Sequence, residues 1–266
     1  MTAAAVILAA ALVSASCAAP LAKLPSGPGA PALDAREAIE EATSACRRVS
    51  TLTLEIAVRG SIGGRRARAR LSAGLARPAS MRLEAVAPFG QPVFILVANE
   101  DAATLLLLRD QRVLEHGRPD AVLEAIAGVP LDAPALRAVV TGCASAPDPT
   151  RARALGETWR VAPDGSDEVY LRREGAAAPW RLVATVHHAA GAGWRAEYRD
   201  FESGLPRSIR LASALAGRFD LQLALSQIDV NTPLDAEAFT VRIPRTAQPI
   251  SLEELRESGP LSANGR

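Results

Sequence analysis

The sequence predicts one α+β domain built on an antiparallel sheet, on three observations. Segments with an apolar residue at every second position recur between Thr51 and Ser226. The connections between them are of hairpin length, which makes the pairing antiparallel. Helical patterns punctuate the strands, giving the order helix, about five strands, two helices, about six strands. No repeat divides the chain.

The 266 residues are 48% hydrophobic, enough for a real core, and this composition excludes global disorder. A net charge of +1 offers no electrostatic case for nucleic acid. The basic residues are arginines except Lys23, which with the abundant alanine reads as codon bias.

Ala3 to Ser16 is an apolar run too short to span a bilayer and of the length of a signal-peptide core. It ends in Ser14-Ala15-Ser16-Cys17, small residues before a cysteine as in a bacterial lipobox, which makes Cys17 the expected lipidation site. The alternative is an ordinary secretory signal with Cys17 incidental. Lipidation at Cys17 leaves Cys46 and Cys143, and an exported chain with an even remainder predicts a disulfide. The alternative is two separate buried thiols. Ala18 to Leu33, rich in Ala, Pro and Gly, reads as a tether reaching at most about 50 Å.

Asp34 opens the first helix as its expected cap, with Glu37 completing a capping box. Ile39, Ala42, Thr43 and Cys46 share one face, so Cys46 points inward. Leu52, Leu54, Ile56 and Val58 then alternate with polar residues, and Ser61 to Gly64 turns the chain. The return strand sets Ala67, Ala69, Leu71, Ala73 and Leu75 against Arg66, Arg68 and Arg70. That arginine row reads either as a solvated outer face or as a surface for anionic headgroups. Met81 to Ala87 is a third strand. Val93–Val97 and Thr104–Leu108 are apolar on both faces, unlike a sheet with one wet side.

Pro119-Asp120 opens the second helix, which carries Val122, Leu123 and Ile126 and stops at Gly128. Asp132 caps the third, with Leu131 and Leu136 placed as a hydrophobic staple and Gly142 as its stop. Strands follow around residues 158–161, 169–172, 180–188, 194–201, 207–211 and 219–226. A parity change between Leu225 and Ile228 requires a bulge near Ser226–Gln227. Ser251–Glu257 reads as a short capped helix.

No catalytic constellation is visible, and the expectation is a protein that is not an enzyme, with no cofactor and no metal. His187 and His188 are strand neighbours that point to opposite faces, and His188 shares parity with Leu182 and Val186, as a buried core residue would. Neither Gly-x-Ser-x-Gly nor His-Glu-x-x-His occurs.

The order of segments across Met81–Cys143 carries a family likeness. A strand ends in Ala87-Pro88-Phe89-Gly90; two apolar strands follow, then a helix ending Gly128-Val129-Pro130-Leu131 and another carrying Ala135-Leu136-Arg137. Later, Gly193 to Tyr198 and Leu205-Pro206 fit the same pattern. This resembles the LolA/LolB-like outer-membrane lipoprotein family, most closely its receptor branch.

The resemblance implies a half-open antiparallel barrel of roughly eleven strands, with helices covering an apolar concave face. The chain thus divides into a signal peptide at 1–16, a flexible tether from lipidated Cys17 over 17–33, a domain over 34–258 that the resemblance makes LolA/LolB-like, and a loose tail at 259–266. The cavity candidates are Leu54, Ile56, Leu83, Val93, Ile95, Val97, Leu105, Leu107, Val122, Ile126, Leu136 and Trp194. Pro88, Phe89 and Gly90 would form the loop that touches membrane or cargo. The implied function is an outer-membrane, periplasm-facing monomer that takes acyl chains of lipoproteins or lipids from a periplasmic carrier protein and delivers them to the membrane. The alternative is a structural lipoprotein whose cavity is filled by its own helices.

Overall fold

The computed structural model describes residues 20–86 and 92–258. In chain order its strands and α-helices are β1 (Ala30–Pro31), α1 (Ala35–Arg47), β2 (Thr51–Ile62), β3 (Arg65–Ala76), β4 (Ser80–Val86), β5 (Pro92–Asn99), β6 (Ala102–Leu107) and β7 (Arg112–Gly117). Then come α2 (Pro119–Ala127), α3 (Ala133–Thr141), β8 (Arg153–Ala154), β9 (Trp159–Asp164), β10 (Asp167–Arg172) and β11 (Arg181–His187). The chain finishes with β12 (Trp194–Glu202), β13 (Leu205–Ser213), β14 (Phe219–Val230), β15 (Gln248–Pro249) and α4 (Leu252–Ser258).

All the strands join one open sheet in the order β1-β8-β9-β10-β11-β12-β13-β14-β2-β3-β4-β5-β6-β7-β15. Every pairing is antiparallel except β15 on β7. The sheet does not close, so the half-open barrel takes the form of a large open sheet. Among the described residues three strands are only two residues long, leaving twelve full strands where about eleven are expected.

The inner face follows from the register. Leu54, Ala73, Leu83, Leu96 and Leu105 lie opposite one another across five strands and are all buried. On the other side of β2, Phe219, Leu221, Leu223 and Leu225 continue the same face. The expected bulge is present: the β14–β2 register shifts between Ser226 and Asp229.

The helices lie on this face. α1 packs against β9, β10 and β11, α2 against β6, and α3 against β4 and β13. Both ends of α2 and α3 are built as the sequence implies. Pro119 starts α2, Asp132 accepts from the Ala135 amide at 2.8 Å, and Gly128 and Gly142 close the two helices in left-handed conformation. Leu131 and Leu136 are both buried, completing the staple. Cys46 and Cys143 form a disulfide that ties the end of α1 to the turn after α3.

Three expectations are corrected. Asp34 precedes α1 but makes no side-chain cap; its carboxylate instead takes a two-pronged bond from Arg160 at 2.5 and 2.9 Å. Arg160 is buried beneath Trp180, 4.7 Å from the ring centroid, so it holds the carboxylate more strongly than α1's own amides do. The bond to Arg160 also holds the Asp34 carboxyl below its ordinary value. The pair therefore stabilises the fold fully above the unfolded carboxyl's pKa of about 3.9 and loses that contribution as pH falls through the lower folded value. Asp34→Ala should cost about 1–3 kcal/mol in urea unfolding at pH 7, discounted for the part-exposed carboxylate, and much less near pH 2. An equal cost at both pH values would count against the pairing.

The second correction concerns residues 17–33, which are not a free tether throughout. The Ala22 amide donates to buried Glu197 at 2.8 Å, Arg195 donates to the Ala22 carbonyl, and β1 pairs with β8. Leu24 packs with Val161, Tyr170 and Ala184 in a second cluster on the outer face. Only five residue steps separate Cys17 from docked Ala22, a span of at most about 17 Å.

The third is the reason β5 and β6 are apolar on both faces. After β14 the chain runs back across the outside of the sheet as a strap. Its 3-10 turn Ala236–Phe239 lies against β4 and β5, Arg82 donates to the Ala238 and Thr240 carbonyls, and Asn99 donates to that of Phe239. Val97, Leu106, Val113 and Phe239 are buried there. β15 then adds to the edge of β7, and α4 packs on α2 with Leu255 fully buried. Ser251 and Glu254 cap α4 reciprocally, through bonds of 2.8 and 3.2 Å.

Candidate functional site

Between the sheet and the lid helices lies an apolar cavity of about 70 Å³, the space open to the centre of a water molecule. Its floor is Ile56, Val58, Ile62, Ala67, Ala69, Leu71, Leu83, Leu211, Leu221 and Leu223, and its roof is Leu123, Ala127, Val129, Leu131 and Leu136. Among the described residues Arg68 is the one charged residue in the wall. The void has a local cause. β3 presents Ala67 and Ala69 opposite Gly60 and Val58, and α2 sets Ala127 above them. Small residues in both layers leave a gap that larger neighbours do not close.

The lid packs closely along one side of this gap. Gly128 ends α2 so close to the β2–β3 hairpin that a Cβ there would lie 2.8 Å from the Ile62 side chain. Glu124 of α2 accepts from Arg218 at the start of β14 and lies 4.0 Å from Arg256 of α4. The space as it stands holds a handful of water-sized groups, so a long chain enters only if α2 lifts.

Of the cavity candidates read from the sequence, Ile56, Leu83 and Leu136 line this space. Leu54, Leu105, Leu107, Val122 and Ile126 belong to the surrounding packed core and do not reach it. Ile95 and Val97 are corrected: they alternate with inward Phe94, Leu96 and Ala98, and Val97 is buried on the strap side, whereas Val93, at a register shift in β5, packs against the inner core without lining the space. Trp194 lies elsewhere, beside α3 in a polar depression with Asp164, Asp167, Thr185 and Tyr198. The floor residues missed were on β2, β3, β13 and β14, and the roof residues missed were Leu123 and Ala127 of α2 and Val129 and Leu131 of the loop after it. The strands' alternation was legible, but nothing local marks which part of a long inner face is left unfilled. Cys17, Pro88, Phe89 and Gly90 lie outside the described residues.

Next to the polar depression, and sharing Asp167 with it, Ser166, Asp167 and His187 form a compact group, but not as a relay. Asp167 Oδ1 and Ser166 Oγ both approach the same nitrogen, His187 Nδ1, at 2.5 and 3.5 Å. His187 stacks on Trp194 with ring centroids 5.2 Å apart. A hydroxyl and a carboxylate sharing one nitrogen cannot pass a proton through the ring. Tyr198 donates to Thr185 Oγ1 at 3.3 Å, and burial pushes its hydroxyl pKa up, so it stays protonated. His188, expected in the core, is exposed. The β10–β11 register shifts between Tyr170 and Leu171, which puts Leu182, Thr185 and His187 on the inner side and turns His188 out. Among the described residues no three His, Cys, Asp or Glu side chains are grouped to hold a metal ion. No described helix is long and apolar enough to cross a membrane.

On the outer face, Arg66, Arg68 and Arg70 of β3 are exposed, and Arg68 stands directly opposite Arg59 of β2. This arginine patch borders the cavity wall through Arg68.

No protein-family model matches the chain, and no curated protein does. Solved structures do. A LolA superfamily protein from Nitrosomonas europaea superposes with a TM-score of 0.56 at 13% identity, over 79% of this chain and 99% of that one. A DUF1329 family protein from Desulfovibrio piger gives 0.47 at 8% identity, covering 79% and 98%. The lipoprotein LppX of Mycobacterium tuberculosis gives 0.32 at 12%, covering 76% and 97%. The first of these shows the fold: this chain is built like a LolA superfamily protein.

Proposed function

We propose that this chain is a lipid-anchored binder of acyl chains, which accepts lipoproteins or lipids on the periplasmic side and passes them to the outer membrane. The observation that carries the reading is the apolar cavity roofed by α2 and α3, with no charged residue in its wall but Arg68 among the described residues. Its mechanism is physical. Lifting α2 exposes Leu, Val and Ile side chains that solvate hydrocarbon, each methylene buried contributing about 0.8 kcal/mol. Release requires only that the membrane hold the chain better than the cavity does.

The finer parts rest on the sequence. Lipidation at Cys17 would hold Ala22, and with it the docked first strand, within about 17 Å of the anchor. Phe89 would enter lipid or touch cargo, as a receptor of the LolB type does with its protruding loop, receiving cargo from a periplasmic carrier. Phe89→Glu should slow transfer of a lipoprotein from a donor protein to vesicles at least tenfold while leaving the melting temperature unchanged. Transfer at the wild-type rate would remove Phe89 from the mechanism.

A second reading is a structural lipoprotein without cargo, and the small volume of about 70 Å³ favours it. Mass spectrometry of organic extracts from the purified protein separates the two. Stoichiometric co-purifying lipid supports the binder, and its absence supports the scaffold.

A further inference from the structure

A second depression, of about 360 Å³, lies on the other flank of α3 from the apolar cavity. Its charged walls are three arginines from three elements: Arg47 ends α1, Arg77 follows β3, and Arg137 belongs to α3. Among the described residues no carboxylate lines it; the remaining walls are Ala138, Cys143, Ala144 and Ser145. The disulfide holds these walls together, since Cys46 precedes Arg47 and Cys143 is itself a wall residue.

The arginines are not equivalent. Arg77 is fixed in place, donating from Nε to the Val49 carbonyl at 3.1 Å and from Nη2 to the Arg47 carbonyl at 2.9 Å. Arg137 is half-buried, its Nε has no acceptor, and no acidic side chain pairs with it among the described residues. Burial, and then the neighbouring Arg77 charge, hold its pKa below the ordinary arginine value. A guanidinium half withdrawn from water beside a like charge, with its Nε left without an acceptor, favours an anion that completes the group.

We propose that Arg47, Arg77 and Arg137 form a phosphate-binding site, separate from the apolar cavity and independent of whether that cavity carries cargo. Three arginines from three elements around one depression suit a tetrahedral anion with several oxygens better than a flat carboxylate, which one fork satisfies. Leu136 lines the cavity and Arg137 lines the depression, so α3 separates a site for hydrocarbon from a site for phosphate.

Isothermal titration of the purified chain with inorganic phosphate, and separately with dihexanoyl phosphatidylglycerol below its micelle concentration, tests this. Saturable binding of phosphate, weakened at least tenfold in Arg137→Gln and in the exposed-site variant Arg47→Gln, is the expected result. Displacement of phosphate by the phosphatidylglycerol identifies a lipid headgroup as a ligand, whereas binding of phosphate alone identifies a free anion. No saturable binding of either probe, or equal binding by wild type and both variants, overturns the site. Circular dichroism melting of each variant confirms that it is folded, and Arg47→Gln keeps the test decisive if Arg137→Gln is not.

Discussion

Replacing Cys46 and Cys143 together by Ala should lower the free energy of unfolding by about 4 kcal/mol. The disulfide joins residues 97 apart in sequence, and closing a loop of that size removes a correspondingly large entropy from the unfolded chain. The folded state loses little packing with the sulfurs, although Cys46 is buried among α1's inward residues. The effect is large because the bond joins parts of the fold that share few other ties. α1 sits on β9 to β11, whereas α3 sits on β4 and β13. The urea midpoint of the double variant, compared with wild type in the presence and absence of reductant, measures it. Reductant should bring the wild type to the variant's midpoint and leave the variant unmoved. A shift below about 1 kcal/mol would mean that the two halves are held by packing alone.

The parts of this structure legible in the sequence are those decided by neighbours along the chain. The alternation of β2, β3 and β14, the stops of α2 and α3 at Gly128 and Gly142, the cap at Asp132 and the bulge after Ser226 all have local causes. The parts that were not legible depend on distant partners. Asp34 is claimed by Arg160, 126 residues away. β5 is apolar on both faces because a strap more than a hundred residues later covers its outside, so the sequence shows double burial but not which face is which. His188 is an exception nearer at hand: it turns outward because a bulge at Val183, in β11 itself, breaks an alternation that the residue pattern shows as continuous. The cavity itself is a matter of what is missing, and alanines at 67, 69 and 127 mark it only once α2 is known to lie over β3.

The second large effect concerns that gap. Ala69 faces the cavity from β3, opposite Val58, and is only partly buried. A phenylalanine there places its ring in the void beneath α2 and removes the space a hydrocarbon chain would enter. Overpacking costs about 1–3 kcal/mol where a core is full, and less where a gap awaits the added atoms. Leu223→Ala makes the opposite change. It should cost about 2–4 kcal/mol in stability while enlarging the cavity, so stability and binding move in different directions in the two variants. Loosening the lid is a further handle, since Glu124 links α2 to Arg218 and faces Arg256.

Titration of a fluorescent fatty acid into wild type, Ala69→Phe and Leu223→Ala tests the central claim most directly. Saturable binding in wild type, at least tenfold weaker in Ala69→Phe and undiminished in Leu223→Ala, is the expected result. Equal affinity in wild type and Ala69→Phe, or no saturable binding in any of the three, would contradict the assignment of this cavity as a site for acyl chains.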